Sequence, residues 1–337
     1  MRLAPQGRFG VRRSIEFGLH WGGQGYGNTD LSEASLQGKS GGVRMGKPSR
    51  PVTGTESERF RLEGKSHSFD PRIEAIRPDL ADVELASRHF APHYAAAVLR
   101  SCVVARTPVR AKPDDDAEMT SELLYGEGFA LLDITGGWAW GYSLHDHYVG
   151  YVHADTLGKR IEPTHRIIAP VTIDGNVTLP MGALLKGDIE GDVLKGAFGE
   201  VPAASVAAIM DVAADPVATV EPLKDVPYLW GGRSNEGIDC SGLVQLMLSR
   251  AGIDAPRDSD LQLAGLSGDF GVAEDYQRGD IIFFVDHVGM MLDDKTLLHA
   301  TQHYGKVVNE PLADVVARME EEGQKPAIIG RKRVLPA

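Results

Sequence analysis

Residues 227–245 read PYLWGGRSNEGIDCSGLVQ, and this stretch decides the fold of the last third of the chain. Within it, Asp239 can accept hydrogen bonds from the free N–H groups at the start of a helix, so Cys240 falls in the first turn. Apolar residues then recur at helical spacing: Leu243, Val244, Met247, Leu248 and Ala251. Gly252 predicts the end of the helix. The stretch therefore predicts one well-defined helix with a cysteine at its amino end.

Short β-rich runs follow this helix and indicate a mixed domain. They are RGDIIFFVD (278–286), HVGMML (287–292), TLLHAT (296–301) and KVVNEPL (306–312). These runs, with DDK as a tight turn between the second and third, are typical of antiparallel strands. We therefore predict an α+β domain over residues 214–337.

The position of Cys240 favours a chemical role. A cysteine attacks as the thiolate, and the unpaired N–H groups of a first helical turn lower the thiol pKa. The alternative is a buried cysteine that acts as a small apolar side chain. Neighbouring Asp239 and Ser241 make that alternative the weaker one.

Two histidines could supply the base that such a nucleophile needs. His287 opens one strand and His299 lies in the next, with the turn around Asp293 and Asp294 between them. If the loop has three residues, two positions face each other when their numbers sum to 586, as 287 and 299 do. The two imidazoles are then cross-strand neighbours. One could then take the thiol proton while the other orients it. Two unrelated histidines with local hydrogen bonds remain the alternative.

The region before this domain has a different character. Residues 1–66 are rich in Gly, Ser and Arg without periodicity and predict a disordered tail, in which Met45 could also serve as a start. Residues 70–158 predict a short helix followed by six short strands, as in a small all-β barrel. Residues 159–213 predict a second small barrel. The predicted fold class is an α+β domain preceded by two small all-β barrels.

Composition limits the expected partners and location. The chain of 337 residues carries a formal net charge of −12, and its basic excess lies in the first 66 positions. An acidic body repels a phosphate backbone, so nucleic acid is not an expected partner. Only two cysteines occur, and no apolar run is long enough for a signal or a membrane span. These observations predict a cytoplasmic location.

Together the motifs resemble one known family. PYLWGGRSNEGIDCSGLVQ, RDSDLQ (257–262), RGDIIFF, DHVGMML and LLHAT are similar in kind and order to the NlpC family of bacterial cell-wall cysteine peptidases, which have a papain-like core. The resemblance implies that Cys240 is the nucleophile, His287 the general base and His299 the residue that orients this base. It also implies that Tyr228 assists the oxyanion, with a packed aromatic side chain as the alternative. The two barrels look like the SH3-like domains often joined to such peptidases.

Members with this layout are similar to enzymes that cut between γ-D-glutamate and a diamino acid in peptidoglycan fragments with a free N-terminal L-alanine. The resemblance places Asp258 and Ser259 in the pocket for the ammonium group, and we add Asp239 beside the nucleophile. It further implies an acidic residue and a tyrosine from the first barrel. The candidates are Glu122 or Glu118, and Tyr148. Exposed barrel residues without such a role are the alternative, and muropeptides are the expected partner.

Other features carry weaker signals. His145, Asp146, His147 and His153 could suggest a metal site, but they are more typical of a hairpin tip, so no metal and no cofactor is expected. Two alternatives to a peptidase stay open. One is a papain-like amidase or acyltransferase with the same three residues, and the other is a non-catalytic module that binds the cell wall.

Overall fold

The computed structural model describes residues 68–173, 175–269 and 275–335. The predicted disordered tail, residues 1–66, lies outside these ranges. No helix in the described part of the chain is long and apolar enough to cross a membrane.

An amino-terminal arm, residues 68–97, packs against the first strand-rich unit. Its two strands, β1 (Leu80–Asp82) and β2 (His93–Ala95), pair in parallel. Apolar residues of the arm, including Ala75 and Leu80, join a cluster around Trp140. The sequence predicted a short helix here, whereas the arm contains turns and a single 3₁₀ turn, Val83–Leu85. Pro78 lacks the N–H group that a continuing helix would use, which explains the difference.

The first strand-rich unit is a seven-stranded antiparallel sheet with the order β5-β4-β8-β7-β6-β3-β9. Its strands are β3 (Val98–Cys102), β4 (Arg106–Arg110), β5 (Met119–Leu124), β6 (Gly128–Thr135), β7 (Trp138–Ser143), β8 (Val149–His153) and β9 (Leu157–Lys159). A 3₁₀ turn, Ala154–Thr156, precedes β9. The core contains Val109, Leu123, Phe129 and Val152. The strand-rich character that the sequence predicted is confirmed, and barrel closure stays a prediction.

The second strand-rich unit consists of three small antiparallel sheets around Ile167, Leu185 and Leu194. Their orders are β13-β10-β17, β11-β12 and β14-β15-β16. The strands are β10 (His165–Ile167), β11 (Val171–Ile173), β12 (Val177–Leu179), β13 (Leu184–Leu185), β14 (Gly187–Glu190), β15 (Val193–Gly196), β16 (Gly199–Pro202) and β17 (Val206–Ala208). The 3₁₀ turns Ala203–Ser205 and Glu221–Leu223 lie before and after β17.

The carboxyl-terminal domain is built on a five-stranded antiparallel sheet with the order β23-β22-β21-β20-β24. A short hairpin, β18 (Arg233–Ser234) and β19 (Gly237–Ile238), precedes it. The helices are α1 (Cys240–Arg250), α2 (Ser259–Gly265) and α3 (Leu312–Glu321). The strands of the sheet are β20 (Ile281–Phe284), β21 (His287–Met291), β22 (Thr296–Thr301), β23 (Lys306–Pro311) and β24 (Gly330–Lys332).

Strand β20 shows how this sheet is buried. Ile281 and Phe283 belong to the core that contains the apolar residues of α1. Ile282 and Phe284 belong to a second core with Leu312 of α3. Because successive strand side chains point to opposite faces, the sheet is covered by a helix on each side. Burial on both faces explains the unbroken apolar run of this strand.

Buried polar contacts hold the first strand-rich unit against the carboxyl-terminal domain. Arg233 donates to the two carboxylate oxygens of Glu127 at 2.9 and 3.0 Å, and Gln245 donates to Asp146 at 3.0 Å. All four side chains are buried. Because breaking a buried ion pair leaves an uncompensated charge and costs about 3–5 kcal/mol, these contacts fix the unit on the domain.

Candidate active site

Cys240 is the first residue of α1, as the sequence predicted, and Asp239 caps the helix. The carboxylate of Asp239 accepts hydrogen bonds from the N–H groups of Gly242 at 2.8 Å and Gly231 at 2.9 Å. Arg257 also donates to Asp239, at 2.9 Å to Oδ1. Asp239 is buried, and its oxygens are occupied by these donors. Asp239 therefore fixes the start of α1, and the substrate contact that the sequence suggested stays a prediction.

The protonation state of Cys240 differs from the expectation of a lowered pKa. Burial, followed by the charge of Asp239, raises the pKa of the Cys240 thiol to about 12. The backbone of Val288 hydrogen-bonds the sulfur and partly opposes this shift. The helix start is as predicted, but burial outweighs its effect. The resting Cys240 side chain is therefore a neutral thiol, which would have to lose its proton in order to act as a nucleophile.

His287 and His299 lie together, although by a different register from the expected one. The loop is Asp293, Asp294 and Lys295, and the strands pair Met290 with Leu298, so facing positions sum to 588. His299 consequently lies opposite Gly289. Because Gly289 has no side chain, the imidazole of His299 reaches diagonally to His287, and Nε2 of His287 lies 2.8 Å from Nδ1 of His299.

A buried hydrogen-bonded chain continues from the two histidines. Nε2 of His299 lies 3.1 Å from Oε2 of Glu310. Glu310 also accepts hydrogen bonds from Arg318, at 2.9 Å to Oε2, and from Tyr304, at 3.2 Å to Oε1. The chain of contacts thus runs from His287 through His299 to Glu310.

The charge of Glu310 determines which ring nitrogens carry protons. Burial alone would raise the pKa of Glu310, but hydrogen bonds and the charge of Arg318 lower it overall. An ionised carboxylate can only accept, so Nε2 of His299 donates to it. Nδ1 of His299 must then accept the proton of His287 Nε2. This arrangement leaves Nδ1 of His287 unprotonated, as a general base requires.

Both imidazoles are neutral near pH 7. Burial lowers the pKa of His287 to about 3, and the neighbouring His299 and Arg318 act in the same direction. Burial lowers the pKa of His299 to about 4, although Glu310 opposes this shift. His287 is the first residue of β21, one position before Val288, whose backbone contacts the thiol. A neutral imidazole therefore lies one residue from the backbone group that hydrogen-bonds the neutral thiol.

Tyr228 lies in the same region. It is half-buried and packs against the core that includes Cys240. Burial, and then the charges of Cys240 and Asp239, raise the pKa of Tyr228, so its phenol keeps its proton. A neutral phenol next to the sulfur is able to donate a hydrogen bond to a developing oxyanion.

The predicted ammonium-binding residues are brought together from two units. Tyr148, in the loop between β7 and β8, donates from its hydroxyl group to Oδ2 of Asp258 at 3.1 Å. Asp258 precedes α2, and Ser259 is the first residue of that helix. Arg257, the residue before Asp258, binds the Asp239 cap of α1. The Asp258–Tyr148 pair is therefore linked through Arg257 to the helix that carries Cys240.

Glu122 and Glu118 differ sharply in exposure. Glu122 is 1% exposed, accepts from Arg106 at 2.8 Å and from the N–H of Arg233 at 2.8 Å, and so has its charge neutralised inside the interface. Glu118 is exposed just before β5. Neither side chain has a contact with Asp258 or Tyr148 among the described hydrogen bonds and ion pairs. The structure therefore assigns Glu122 to the interface.

The histidine-rich loop forms a hairpin tip between β7 and β8, as predicted, but the tip is not simply solvated. Asp146 is buried and lies 3.1 Å from His145, and it accepts from Gln245 of α1. His153 pairs instead with Asp115 and stacks on Trp138. Over the described ranges, no three His, Cys, Asp or Glu side chains are grouped as metal ligands.

Four residues of the site were missed by reasoning from sequence: Arg72, Arg257, Glu310 and Arg318. Arg72 is 186 positions from Asp258, and Arg257 is 18 positions from Asp239, so no local pattern connects either pair. Glu310 gave a usable signal, since it is a charged residue that strand alternation places on the same face as Val308 in KVVNEPL. Such a residue is buried only with partners, which would have pointed to the histidines.

Comparisons with known proteins identify two domains in the chain. The sequence profile of the NlpC/P60 family matches residues 225–330, and that of the bacterial dipeptidyl-peptidase Sh3 domain matches residues 109–157. The chain is 37% identical over 98 residues to a gamma-D-glutamyl-L-lysine dipeptidyl-peptidase of Bacillus cereus, which covers 26% of this chain and 28% of that protein. The protein of the same name from Bacillus subtilis is 34% identical over 83 residues, covering 22% and 27%.

The matched segments thus span less than a third of the length of these two curated relatives. A solved NlpC/P60 family protein from Bacillus cereus has a similar fold, with a TM-score of 0.61 at 19% identity, over 71% of this chain and 100% of that chain. The chain therefore carries an NlpC/P60 domain, the domain of a cysteine-peptidase family, at residues 225–330, with a bacterial dipeptidyl-peptidase SH3 domain at residues 109–157.

Proposed function

We propose that the protein hydrolyses the γ-D-glutamyl–diamino acid bond of peptidoglycan peptides that carry a free N-terminal L-alanine. The observation that carries this proposal is the link between two groups of residues. Arg257 binds the cap of the helix that begins with Cys240, and the next residue, Asp258, pairs with Tyr148 of the SH3 domain. The two similar Bacillus proteins named gamma-D-glutamyl-L-lysine dipeptidyl-peptidase support the substrate class.

In the proposed mechanism, substrate binding brings the scissile carbonyl against the Cys240 thiol. Nδ1 of His287 takes the thiol proton as sulfur attacks, and His299 holds His287 in the required tautomer. The tetrahedral oxyanion is stabilised by Tyr228 and by the backbone N–H of Cys240. Collapse of this intermediate transfers the proton to the leaving amine and forms a thioester, which water then hydrolyses.

The negative pocket at Asp258 defines the amino end of the substrate. If the ammonium group of L-alanine binds Asp258 and Tyr148, only a dipeptide separates that group from the bond at Cys240. A free amine is then selected by charge, and release of an intact dipeptide follows from the fixed distance. An apolar acyl chain would have to displace charged groups here, so the amidase or acyltransferase alternative is disfavoured.

The decisive experiment incubates the purified protein with L-Ala-γ-D-Glu-L-Lys and with its meso-diaminopimelate counterpart. Mass spectrometry should detect L-Ala-D-Glu from the wild type and none from Cys240→Ala. Cys102→Ala is the matched control, because Cys102 is buried in the core of the first strand-rich unit, and it should retain activity. Equal product from the wild type and Cys240→Ala, or none from the wild type, contradicts the proposal.

A further inference from the structure

Arg72, in the amino-terminal arm, reaches the proposed ammonium pocket. Its guanidinium binds three carboxylates: Asp70 at 2.8 Å, Asp258 at 2.8 Å and Asp260 at 2.7 Å. We name these four residues the Arg72 clamp. The backbone oxygen of Arg72 also accepts from the N–H of Val149 at 2.7 Å, next to Tyr148. Arg72 thus ties the arm, the SH3 hairpin and the start of α2 together at one point.

The two oxygens of Asp258 have different surroundings. Oδ2 accepts from both Nη1 of Arg72 and the hydroxyl group of Tyr148. Among the described residues, no protein group donates a hydrogen bond to Oδ1. Because Oδ2 is held from two directions, the carboxylate plane is fixed and Oδ1 remains available as an acceptor.

The charge of the clamp favours a cationic ligand. Three carboxylates face one guanidinium, so the cluster has an excess of two negative charges (−3 plus +1). Arg257, the other cation that acts on Asp258, is paired with Asp239. An ammonium group that enters beside Asp258 therefore meets net negative charge, whereas an N-acylated peptide brings no positive charge to it.

Arg72 also affects the ionisation of Asp258. Burial raises the pKa of Asp258, while Arg257, Arg72 and the hydroxyl group of Tyr148 act in the opposite direction. Asp260 and Asp70 complete the set of charged groups around the guanidinium. Removing Arg72 leaves Asp258 beside two carboxylates with one cation fewer, which moves its pKa further upward and favours the protonated form.

We infer that Arg72 is a positioning residue for substrate selection: it holds Asp258 in place and ionised, so that Oδ1 accepts a hydrogen bond from the free ammonium group of the peptide. This inference rests on the proposed function and deepens it. It assigns part of the amine specificity to the arm, outside both the peptidase domain and the SH3 domain.

The test compares hydrolysis of L-Ala-γ-D-Glu-L-Lys with that of its N-acetylated form by the wild type, Arg72→Gln and Arg72→Lys. Arg72→Gln should lower the ratio of kcat/KM values for the two substrates about tenfold, through KM, because a charge-assisted contact is lost at a partly exposed site. The acid limb of kcat/KM for the free amine should move to higher pH. For Arg72→Lys, both the ratio of kcat/KM values and the position of the acid limb should lie between those of the wild type and Arg72→Gln.

Arg77→Gln is the matched control. Arg77 lies in the same arm and pairs with Asp79 and Asp133, each at 2.9 Å, on the SH3 face that carries Trp140. It should leave the substrate ratio and the acid limb unchanged. Because the ratio is measured on one enzyme preparation, partial unfolding of a variant does not alter it.

The possible failures are distinguishable. If Arg72→Gln has the wild-type substrate ratio and acid limb while the wild type cleaves the free amine, the inference is wrong and the proposed function stands. If Arg77→Gln changes both quantities as much as Arg72→Gln, the effect comes from the arm in general and the inference is also wrong. If the wild type shows no cleavage or no preference for a free amine, the proposed function fails, and the inference fails with it.

Discussion

Replacement of Glu310 by glutamine tests whether the buried chain of contacts sets the base. Glu310 presents Oε2 to His299 and Arg318, and Oε1 to Tyr304 and Arg318. Glutamine has the same shape but only one acceptor oxygen. If its NH₂ group faces His299, the donor and acceptor roles reverse along the chain, and Nδ1 of His287 becomes protonated. If its oxygen faces His299, the NH₂ group lies against the donors of Arg318 and Tyr304.

Both arrangements weaken catalysis, and the size of the effect follows from the lost charge. A hydrogen bond to a charged group contributes about 1.5–3 kcal/mol, which corresponds to about 10- to 150-fold in rate. The pKa of His287 should change in the direction that also weakens catalysis. Glu310 raises this pKa, and the variant loses that contribution. His287 becomes a weaker base in Glu310→Gln. Since Glu310 does not touch the substrate pocket, kcat should fall by this factor while KM changes little.

The assay combines steady-state kinetics with ¹⁵N NMR of the histidine rings, which distinguishes protonated from unprotonated nitrogens. The wild type should show His287 protonated at Nε2 only, near pH 7. Glu321→Gln, at the exposed end of α3, should behave as the wild type. A protonated Nδ1 of His287 in the resting wild type would refute the tautomer assignment. So would an unchanged kcat in a folded Glu310→Gln variant.

Three further outcomes follow from the geometry. A methyl group at Gly289 would meet Cβ of His299 at 3.0 Å, so Gly289→Ala should lower kcat about tenfold with KM retained. A wild-type kcat in this variant would contradict close packing between Gly289 and His299. Iodoacetamide should label Cys240 slowly at pH 7 and faster at higher pH, because burial raises the pKa of this thiol to about 12. Peptide mass spectrometry measures the labelling, and fast labelling at pH 6 would contradict the raised pKa. Arg257→Met should lower the free energy of unfolding, measured by urea titration, by about 3–5 kcal/mol, because Asp239 loses its buried partner. An unchanged urea midpoint would show that this ion pair is dispensable.

Elements with a strong local signal were predictable from sequence. Helix α1 has a capping carboxylate, an apolar face and a terminal glycine, Gly252, with a φ of +72°. The four runs predicted as strands correspond to β20–β23. Helix α3 was not predicted, although its apolar residues Leu312, Val315, Val316 and Met319 recur at helical spacing. The seven residues of α2 are too few to show helical periodicity.

The site was predictable only as far as its residues act locally. Cys240, His287 and His299 were identified because a helix start and two strands place them. The register of the hairpin was wrong by two positions, yet parity kept both histidines on the same face, since strand side chains alternate with a period of two. The pKa of Cys240 was wrong in direction, because burial depends on packing between distant segments that no local pattern records.

The contacts around Arg257 join the proposed ammonium pocket to the start of the helix that carries Cys240. Its guanidinium binds Asp239, Ser241 and Ser121, so it connects the start of α1 with strand β5 of the SH3 domain. Asp258, one residue later, is held by Tyr148 and Arg72. A shift of the SH3 domain would therefore move the proposed ammonium pocket and the helix start together. Such coupling would serve the proposed cleavage at a fixed distance from a free amine, since an error of about 1 Å in this distance costs about 100-fold in rate.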